Sequence, residues 1–345
     1  MPKMFRMVFV SLFENEPDQL RKIAESVCEE TGLECDFFGI YGEDADEDVL
    51  IYHDLVQRTQ QADFIYFRCM GDIHRFKHWD KLEPILKEVK GFPVVFSGNP
   101  EVNIMTRDIF RGTDDEYKEL FVYAKDRCPE NDRGVIGWTL HKLGFTTKRP
   151  KPAVVQRRHG VYHKGFSLDV TLDEYLKTLD PDKITLGVIF SSNNWIYGTL
   201  DHVDAIIEEV ERQGMNSLPI FCSSFWQDVG GEITTVLSKY FIKDGKPLVS
   251  AIISTARLAI EDKEHDRCLD EWNFYRNHLN VPLIFGLSVQ GKYHDFEDEK
   301  IGLAKKDMQM NVIYPELEGC LIGVPIAYKS RTEGTSRYLP IPDRI

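Results

Sequence analysis

Small hydroxyl, amide and aromatic side chains follow most of the strands that the sequence predicts. Ser191–Trp195 comes directly after one apolar run, Ser223–Trp226 after another, and Arg68–Asp72 and Ser97–Pro100 hold the same position nearer the N-terminus. Ligands of open parallel sheets bind beyond the carboxyl ends of the strands. Aromatic rings supply contact area and amides fix orientation, so this mixture suits a large planar ligand with polar edges. The simpler interpretation of any one strand end is that these residues form a turn and cap the next helix.

Two pairs of histidines are spaced four residues apart, His74 with His78 and His159 with His163. On a helix such a pair shares one face and could hold a metal ion. Neither pair carries the glutamate of a zinc-protease motif, and no third ligand is evident. The second pair follows a strand-like run, so we predict that it is not helical. Solvated or hydrogen-bonded histidines are the favoured interpretation, and no metal site is predicted.

Other catalytic motifs do not occur in the sequence. It has no G-x-x-x-x-G-K-[ST] phosphate loop, no G-x-G-x-x-G after the first strand and no G-x-S-x-G nucleophile elbow. The acidic run Glu43–Asp48 lacks the glycine and the terminal glutamate of a calcium loop. We predict a solvated turn there that leads into a helix, because acidic residues favour a helix N-terminus.

The composition is that of a globular protein with an acidic surface. The 345 residues are 42% hydrophobic and carry a formal net charge of −14, which would repel phosphate backbones, so nucleic acid is not an expected partner. The seven cysteines form no C-x-x-C pair and are expected to be mainly core thiols. No signal peptide is evident, and no apolar run approaches the ~18 residues of a membrane span. These features predict a cytoplasmic protein.

Short β-rich runs alternate with helical patterns along the chain, which is typical of parallel sheets covered by helices. The predicted strands are Arg6–Phe13, Glu34–Ile40, Asp63–Arg68, Pro93–Ser97, Ile184–Phe190, Leu218–Cys222, Val249–Ser254, Val281–Ser288 and Leu321–Lys329. Helices are predicted from Pro17 to Gly32 and over Asp46–Gln61, Leu82–Lys90, Asp114–Leu143, Leu200–Gln213 and Asp262–Leu279. The sequence therefore predicts an α/β protein with two Rossmann-like or flavodoxin-like domains and mainly parallel sheets.

A basic, proline-marked stretch, Thr146–Pro152, separates the two repeats of this pattern. Such a composition is typical of an exposed crossover. We predict an N-terminal α/β domain over residues 1–145, a crossover or linker over 146–180 and a second α/β domain over 181–345.

Several stretches, in the same order along the chain, carry a resemblance to a known family. They are Ala62–Gly71, Lys151–His163, Gly187–Trp195, Gly214–Phe221, Asn280–Leu283 and Met308–Gly319, of which the last is the most specific. Together they resemble the N-terminal region of the cobaltochelatase large subunit and of its relative, the magnesium chelatase H subunit. The family often has a Ser-His-Trp-like triplet where this chain has Asn193-Asn194-Trp195, so a role for a histidine is lost there.

The resemblance implies a large subunit that binds a tetrapyrrole macrocycle, with a separate pair of AAA+ ATPase subunits that use ATP and Mg to drive metal insertion. The expected reaction is cobalt insertion into a corrin precursor in cobalamin biosynthesis, a ligase reaction that forms nitrogen–metal bonds. No cofactor is expected on this chain. It offers no evident group to deprotonate the ring, so we expect this stretch to be inactive alone.

The candidate binding residues are edge-gripping polar groups and flat aromatic rings at the strand ends. The predicted substrate-binding residues are Arg68, Gly71, Asn99, His159, Tyr162, His163, Asn194, Trp195 and Gln290. Arg157 and Arg158 are further candidates for the ring edge, and Trp226 is a further flat partner. No catalytic residue is predicted. The alternative functions are a stand-alone tetrapyrrole-binding carrier and a module that docks other subunits. The alternative reaction is the insertion of magnesium into the porphyrin protoporphyrin.

Overall fold

The computed structural model describes residues 3–12, 16–69, 71–167, 169–222, 236–256, 279–289, 302–317, 319–332 and 335–345. They form an α/β protein with one all-parallel sheet, one mixed sheet and a short two-stranded ribbon. The predicted α/β class with mainly parallel sheets is therefore confirmed. The chain separates into two compact units, Met1–Gln156 and Arg157–Thr332 with Arg337–Ile345. Within the described part of the chain, no helix combines the length and apolar character needed to cross a membrane.

Four parallel strands form the sheet of the first unit, in the order β2-β1-β3-β4. They are β1 (Met4–Ser11), β2 (Glu34–Tyr41), β3 (Phe64–Cys69) and β4 (Phe92–Ser97). Every residue of β3 and β4 is buried, as expected when helices cover both faces of a parallel sheet. Alternation along β1 places Phe9 in one core cluster and Val10 in the other.

Seven α-helices surround this sheet in the described part of the first unit. They are α1 (Glu16–Thr31), α2 (Gly42–Glu47), α3 (Val49–Gln61), α4 (Trp79–Glu88), α5 (Pro100–Met105), α6 (Asp114–Lys125) and α7 (Pro129–Lys142). Helix α1 buries the predicted face and ends before Gly32, whose φ of +72° is the left-handed conformation that glycine adopts most readily. Gly134 allows helices α6 and α7 to pack closely. Any other residue there would place a Cβ 2.2 Å from the Tyr123 ring.

Three predicted elements in the first unit differ from the observed ones. The predicted solvated turn over Glu43–Asp48 is largely the short helix α2, and the predicted helix Asp46–Gln61 is interrupted at Asp48. The Asp48 carboxylate accepts a hydrogen bond from the Leu50 backbone N–H, so it caps α3 and starts a new helix. The single helical stretch Asp114–Leu143 is divided between α6 and α7, and Pro129 opens the second helix.

A seven-stranded sheet forms the second unit, in the order β13-β12-β11-β10-β6-β7-β5. Its strands are β5 (His159–Val161), β6 (Thr185–Ser191), β7 (Asn216–Cys222), β10 (Ala251–Ser254), β11 (Leu283–Val289), β12 (Leu321–Thr332) and β13 (Thr335–Pro340), and the ribbon pairs β8 (Ile242–Lys243) with β9 (Lys246–Pro247). Strands β6, β7, β10, β11 and β12 pair in parallel, whereas β5 is antiparallel to β7. The five parallel strands correspond to predicted strands, whereas β5, β13 and the two ribbon strands were not predicted.

The described part of the second unit contains five α-helical segments besides the helical residues 236–241. They are α8 (Leu172–Leu176), α9 (Ser192–Ile196), α10 (Asp201–Arg212), α11 (Lys305–Met308) and α12 (Tyr314–Leu317), the last two joined by a π-helix over Gln309–Ile313. Helix α10 buries the predicted face of Val203, Ile206, Ile207 and Val210. The predicted helix Asp262–Leu279 lies outside the described residues except for Leu279.

The stretch predicted as a crossover, 146–180, contains regular structure that the sequence pattern did not reveal. Strand β5 and helix α8 fall within it, and Val161, Val170 and Tyr175 are buried in the core of the second unit. A strand of three residues is too short to show an alternating pattern. The stretch therefore contributes core residues after Arg158, whereas residues 146–158 contain no helix or strand.

His202 is a buried ionisable group in the second unit. It is 2% exposed near the start of α10, and its ring lies 5.6 Å from that of Tyr338 in β13. Burial lowers the pKa of His202 to about 4, against the opposing effect of the Asp201 carboxylate. The imidazole is therefore neutral in the folded protein at neutral pH.

We expect the second unit to lose stability as the pH falls from about 6.5 to about 4. In this window the unfolded histidine binds a proton that the folded one does not, so the free energy of unfolding should fall by roughly 3 kcal/mol. Urea unfolding midpoints measured across this pH range test this. His202→Gln should flatten the slope, whereas the control His53→Gln, on the exposed side of α3, should not. An unchanged slope in His202→Gln would contradict the assignment.

Candidate functional site

A buried cluster of charges closes the carboxyl end of the sheet in the first unit. The Arg68 cluster consists of Ser11 at the end of β1, Glu16 at the start of α1, Arg68 in β3, Arg127 just before α7 and Asp132 in the first turn of α7. Ser11, Glu16, Arg68 and Asp132 are each at most 7% exposed. The cluster thus joins one helix, two strands and a second helix that are far apart in sequence.

Two guanidinium groups and two carboxylates balance each other in this cluster. Arg68 pairs with Asp132 and lies 3.5 Å from Glu16 (Nη1 to Oε1), and Arg127 also pairs with Glu16. The Ser11 hydroxyl donates to Glu16 Oε2 at 2.5 Å. Burial raises the pKa of the Asp132 carboxyl, and the Arg68 guanidinium opposes that rise. Since an unpaired buried charge is costly, each group stabilises the ionised form of its neighbour.

Arg68 was predicted from the sequence to grip the edge of a ligand. The structure instead engages its guanidinium inside the protein, with Asp132, Glu16 and the Tyr66 hydroxyl, which accepts from Nε at 3.1 Å. These contacts give Arg68 a structural role. Its role in ligand binding stays a prediction.

Gly71 and Asn99 take part in the turns that follow β3 and β4. The Ser97 hydroxyl donates to the Gly71 carbonyl at 3.1 Å and accepts from the Asn99 backbone N–H at 3.0 Å. The Asn99 side chain accepts from the Glu101 N–H at 2.9 Å and so caps α5. Asn103, which sequence reasoning missed, bonds both the N–H and the carbonyl of Ser97 at 2.8 Å. These contacts match the simpler interpretation of a strand end, and binding by Gly71 and Asn99 stays a prediction.

An aromatic stack lies at the carboxyl end of β6 and β7 in the second unit. The Trp195 ring in α9 is parallel to the Phe221 ring in β7, with centroids 4.4 Å apart and planes 5° apart. Phe221 is fully buried, whereas Trp195 is half-buried. The Arg157 guanidinium lies over the Phe221 ring, 5.8 Å from its centroid. Trp195, Phe221 and Arg157 are called the Trp195 stack below.

Gly160 permits the close approach of the groups in the Trp195 stack. It is paired with Phe221 across β5 and β7, and a Cβ at this position would lie 2.8 Å from the Phe221 ring and 2.7 Å from Arg157 Nη2. Sequence reasoning missed this role. The one available signal was a glycine inside the short run His159–Val161, since glycine in a strand often marks a close approach.

Tyr162 belongs to the same face of the sheet as the Trp195 stack. It is buried in one cluster with Phe190 and Phe221, against which Trp195 packs, and its ring meets Phe190 edge-on at 5.6 Å. The Tyr162 hydroxyl donates to Asp204 Oδ1 at 2.9 Å, and burial raises the pKa of this phenol. The structure thus brings Tyr162 and Trp195 into one cluster, with Tyr162 in its interior.

His159 and His163 contact a different group of residues. His159 Nδ1 lies 2.9 Å from the Tyr240 hydroxyl, and Tyr240 belongs to the core cluster on the other side of the sheet. His163 Nε2 lies 3.0 Å from Glu211 Oε1, and its ring meets Phe166 edge-on at 5.4 Å. Their binding roles stay predictions, and Tyr240 was missed because nothing in its sequence context marks it.

Of the remaining candidates at the strand ends of the second unit, the structure describes Asn194. The Asn194 amide donates to the carbonyl and the hydroxyl of Thr199, each at 3.2 Å, and so closes the turn after α9. Gln290 and Trp226 lie outside the described residues.

The two histidine pairs make separate local contacts. His74 lies 3.0 Å from Asp72 and 3.6 Å from Asp80, whereas the His78 ring lies 4.1 Å from that of Tyr52. His159 is in β5 and His163 follows it, so the prediction that this pair is not helical is confirmed. Within the described ranges, no three His, Cys, Asp or Glu side chains are grouped to hold a metal ion.

Asp132→Ala should destabilise the first unit by about 3–5 kcal/mol, because it leaves the Arg68 guanidinium buried without its closest carboxylate. Adding Arg68→Met to the same chain should recover a large part of that loss, since both charges are then gone. Urea unfolding of the two single variants and the double variant measures the coupling. Additive losses would contradict a structural pair. Control Asp115→Ala, at an exposed pair with Lys118, should cost at most about 1 kcal/mol.

The sequence of the chain matches a family model and several known proteins. The family model described as CobN/Magnesium Chelatase matches residues 121–345, about two thirds of the chain and all of the second unit. The chain is 26% identical over 305 residues to the uncharacterised protein MJ0908 of Methanocaldococcus jannaschii, covering 84% of this chain and 24% of that one. It is 24% identical to the magnesium-chelatase subunit ChlH of Oryza sativa over 49% of this chain and 12% of that subunit.

The fold is similar to that of a solved protein over almost its whole length. The catalytic subunit of cobaltochelatase from Mycobacterium tuberculosis matches with a TM-score of 0.60 at 18% identity, over 99% of this chain and 26% of that one. The chain therefore spans about a quarter, or less, of the length of these relatives.

Proposed function

Because this chain belongs to the CobN/magnesium chelatase family, we propose that it is part of a chelatase large subunit and binds the tetrapyrrole substrate. The family match includes every residue of the Trp195 stack. The fold similarity to a cobaltochelatase catalytic subunit extends over 99% of the chain. Both observations support a chelatase role for this stretch.

The observation that carries the proposal is the half-buried indole of Trp195 at the carboxyl end of a parallel sheet. One face of the indole is stacked on Phe221, so its orientation is set before a ligand arrives. A planar macrocycle binds most favourably to a flat aromatic side chain that is already held in place, because that side chain loses little conformational entropy on binding. We propose that the solvent-accessible part of Trp195 contacts the macrocycle.

The positive charges near Trp195 also support a macrocycle site at this position. The chain carries a net charge of −14, so most of its surface repels the carboxylates on the edge of a tetrapyrrole. Arg157 lies in the Trp195 stack and also 3.8 Å from Asp169, and Arg158 is exposed next to it. We propose that these two guanidinium groups pair with the edge carboxylates or amides of the ring.

The proposal also includes the inserted metal and the partner subunits that drive its insertion. We favour cobalt insertion into a corrin precursor, in cobalamin biosynthesis, with AAA+ ATPase subunits that use ATP and Mg. The ring nitrogens must lose protons to a base as the metal enters. Since the chain spans 26% of the solved catalytic subunit, we propose that this step takes place elsewhere in the full subunit and that this stretch is inactive alone.

We also propose a finer description of the fold. The parallel strand order 2-1-3-4 of the first unit is that of flavodoxin-like sheets, whose ligands bind at the carboxyl ends of the strands. We propose that the second unit is flavodoxin-like as well, because its parallel strands follow the order β7-β6-β10-β11-β12, with β5 as an antiparallel addition at its edge.

We expect the purified chain to bind a metal-free corrinoid saturably, with a shift of the ligand's visible band and quenching of tryptophan fluorescence. Trp195→Leu should weaken binding about tenfold, because it removes the flat surface and keeps an apolar side chain. The control Trp138→Phe, at a buried position of the first unit, should bind like the parent chain. Following the visible band makes the comparison independent of protein fluorescence.

The same titration with a porphyrin decides between the alternatives. Tighter binding of the porphyrin would favour magnesium insertion into protoporphyrin. A separate assay adds the ATPase subunits, with ATP and Mg, to the chain and its bound ligand. If the chain binds the ligand but no metal is inserted in that assay, a stand-alone carrier is favoured. If neither ligand binds, the proposal fails for this stretch and a subunit-docking module becomes the better account.

A further inference from the structure

Two side-chain hydroxyl groups at the carboxyl ends of adjacent strands in the second unit are buried without a hydrogen-bond partner. Thr255 directly follows β10, and Ser288 is the next-to-last residue of β11. Both hydroxyl oxygens are shielded from solvent, and neither has a hydrogen-bond partner within the described part of the chain. A buried hydroxyl without a partner costs free energy, so its presence calls for an explanation. Thr255 and Ser288 are called the hydroxyl pair below.

The hydroxyl pair lies on the same face of the sheet as the Trp195 stack. Successive side chains of a strand point to opposite faces. Ile253 packs against the core cluster of the Trp195 stack, so Thr255, two residues later, lies on that face. Leu287 belongs to the core cluster on the opposite face, so the next residue, Ser288, also lies on the face of the Trp195 stack.

The strand order places the hydroxyl pair within reach of a ligand that contacts Trp195. The Thr255 N–H donates to the Ile189 carbonyl at 2.9 Å, which fixes Thr255 beside the end of β6, and Trp195 lies in the helix that follows β6. A Cβ at Gly286 would lie 3.4 Å from Thr255 Cγ2, and Ser288 follows Gly286 by two residues. Strands β6, β10 and β11 are neighbours in the sheet, so their ends span roughly 10 Å. This span is comparable to the width of a tetrapyrrole ring.

The most specific sequence motif of the chain, Met308–Gly319, holds Ser288 in position. The Asn311 amide donates to the Ser288 carbonyl at 3.1 Å and to Asp307 Oδ1 at 3.0 Å. Asn311 is 7% exposed and Asp307 is 3% exposed, so these contacts lie inside the protein. The backbone at the end of β11 is thus fixed by a buried amide, whereas the Ser288 hydroxyl is left without a hydrogen bond.

We propose that the hydroxyl pair forms hydrogen bonds with carboxylates or amides on the edge of the macrocycle that contacts Trp195. This inference rests on the proposed function. Both side chains are half-buried and therefore reach the surface at the strand ends. Rotation about the Cα–Cβ bond turns each hydroxyl toward a ligand without breaking a hydrogen bond to any described residue. A hydroxyl both donates and accepts, so it suits either kind of edge group.

A binding role and a structural role of the hydroxyl pair predict different effects on stability. Thr255→Val and Ser288→Ala each remove a buried oxygen that has no partner among the described residues. The ligand-free variants should therefore unfold at a urea concentration no lower than the parent chain does. A hydroxyl that contributed to the fold through a hydrogen bond would give the opposite result.

The test is titration of the full chain with a metal-free corrinoid, followed by the visible band of the ligand. Thr255→Val and Ser288→Ala should each weaken binding about fivefold, as expected for the loss of one hydrogen bond between neutral groups. The double variant should bind more weakly than either single variant. Thr59→Val is the matched control, because Thr59 in the first unit also has a buried hydroxyl without a partner among the described residues. It should bind like the parent chain.

The outcomes separate this inference from the proposed function. If the parent chain does not bind the corrinoid, the proposed function and this inference both fail. If the parent chain binds and Trp195→Leu weakens binding, whereas Thr255→Val and Ser288→Ala bind like the parent, this inference alone is overturned. A lower urea midpoint in both hydroxyl variants would also overturn it, because the hydroxyl groups would then stabilise the fold.

Discussion

The covering of both faces of the parallel sheets is the constraint on which the rest of this structure depends. Parallel strands are joined by crossovers, so helices pack on each face and the strands are buried on both sides. Strands β3, β4 and β7 are buried at every residue. The carboxyl ends of the strands are therefore the places where side chains of these sheets can meet a ligand.

The two units use these strand ends differently. In the first unit, the two arginines and two carboxylates of the Arg68 cluster neutralise each other inside the protein, and the cluster links α1 and α7 to the sheet. In the second unit, Phe221 supports an indole that retains solvent-accessible surface, and Arg157 brings a positive charge to the same place. This difference is why the proposed macrocycle site is in the second unit. It also agrees with the family match, which includes that whole unit.

Local patterns in the sequence were sufficient to predict most of the regular structure. The buried face of α1 and the glycine at its end follow from a helical period and a turn signal within a few residues. The apolar runs of β3 and β4 are equally local. The break at Asp48 was missed, since a carboxylate that caps a new helix has the same composition as a solvated turn.

The candidate site was harder to predict because its contacts join distant parts of the chain. Arg68 was correctly placed at a strand end, but its partner Asp132 is 64 residues away and gives no sequence signal of the pairing. Trp195 was recognised as a flat partner, whereas its support by Phe221 and the need for Gly160 depend on the register of β5 against β7. That register is set by tertiary packing, which a single sequence does not reveal.

The most direct test of the central claim is a crystal structure of this chain with a bound metal-free corrinoid. The account predicts a macrocycle in van der Waals contact with Trp195, at the carboxyl end of β6 and β7, with edge carboxylates or amides near Arg157 and Arg158. A macrocycle bound against the strand ends of the first unit, with Trp195 still exposed to solvent, would contradict it.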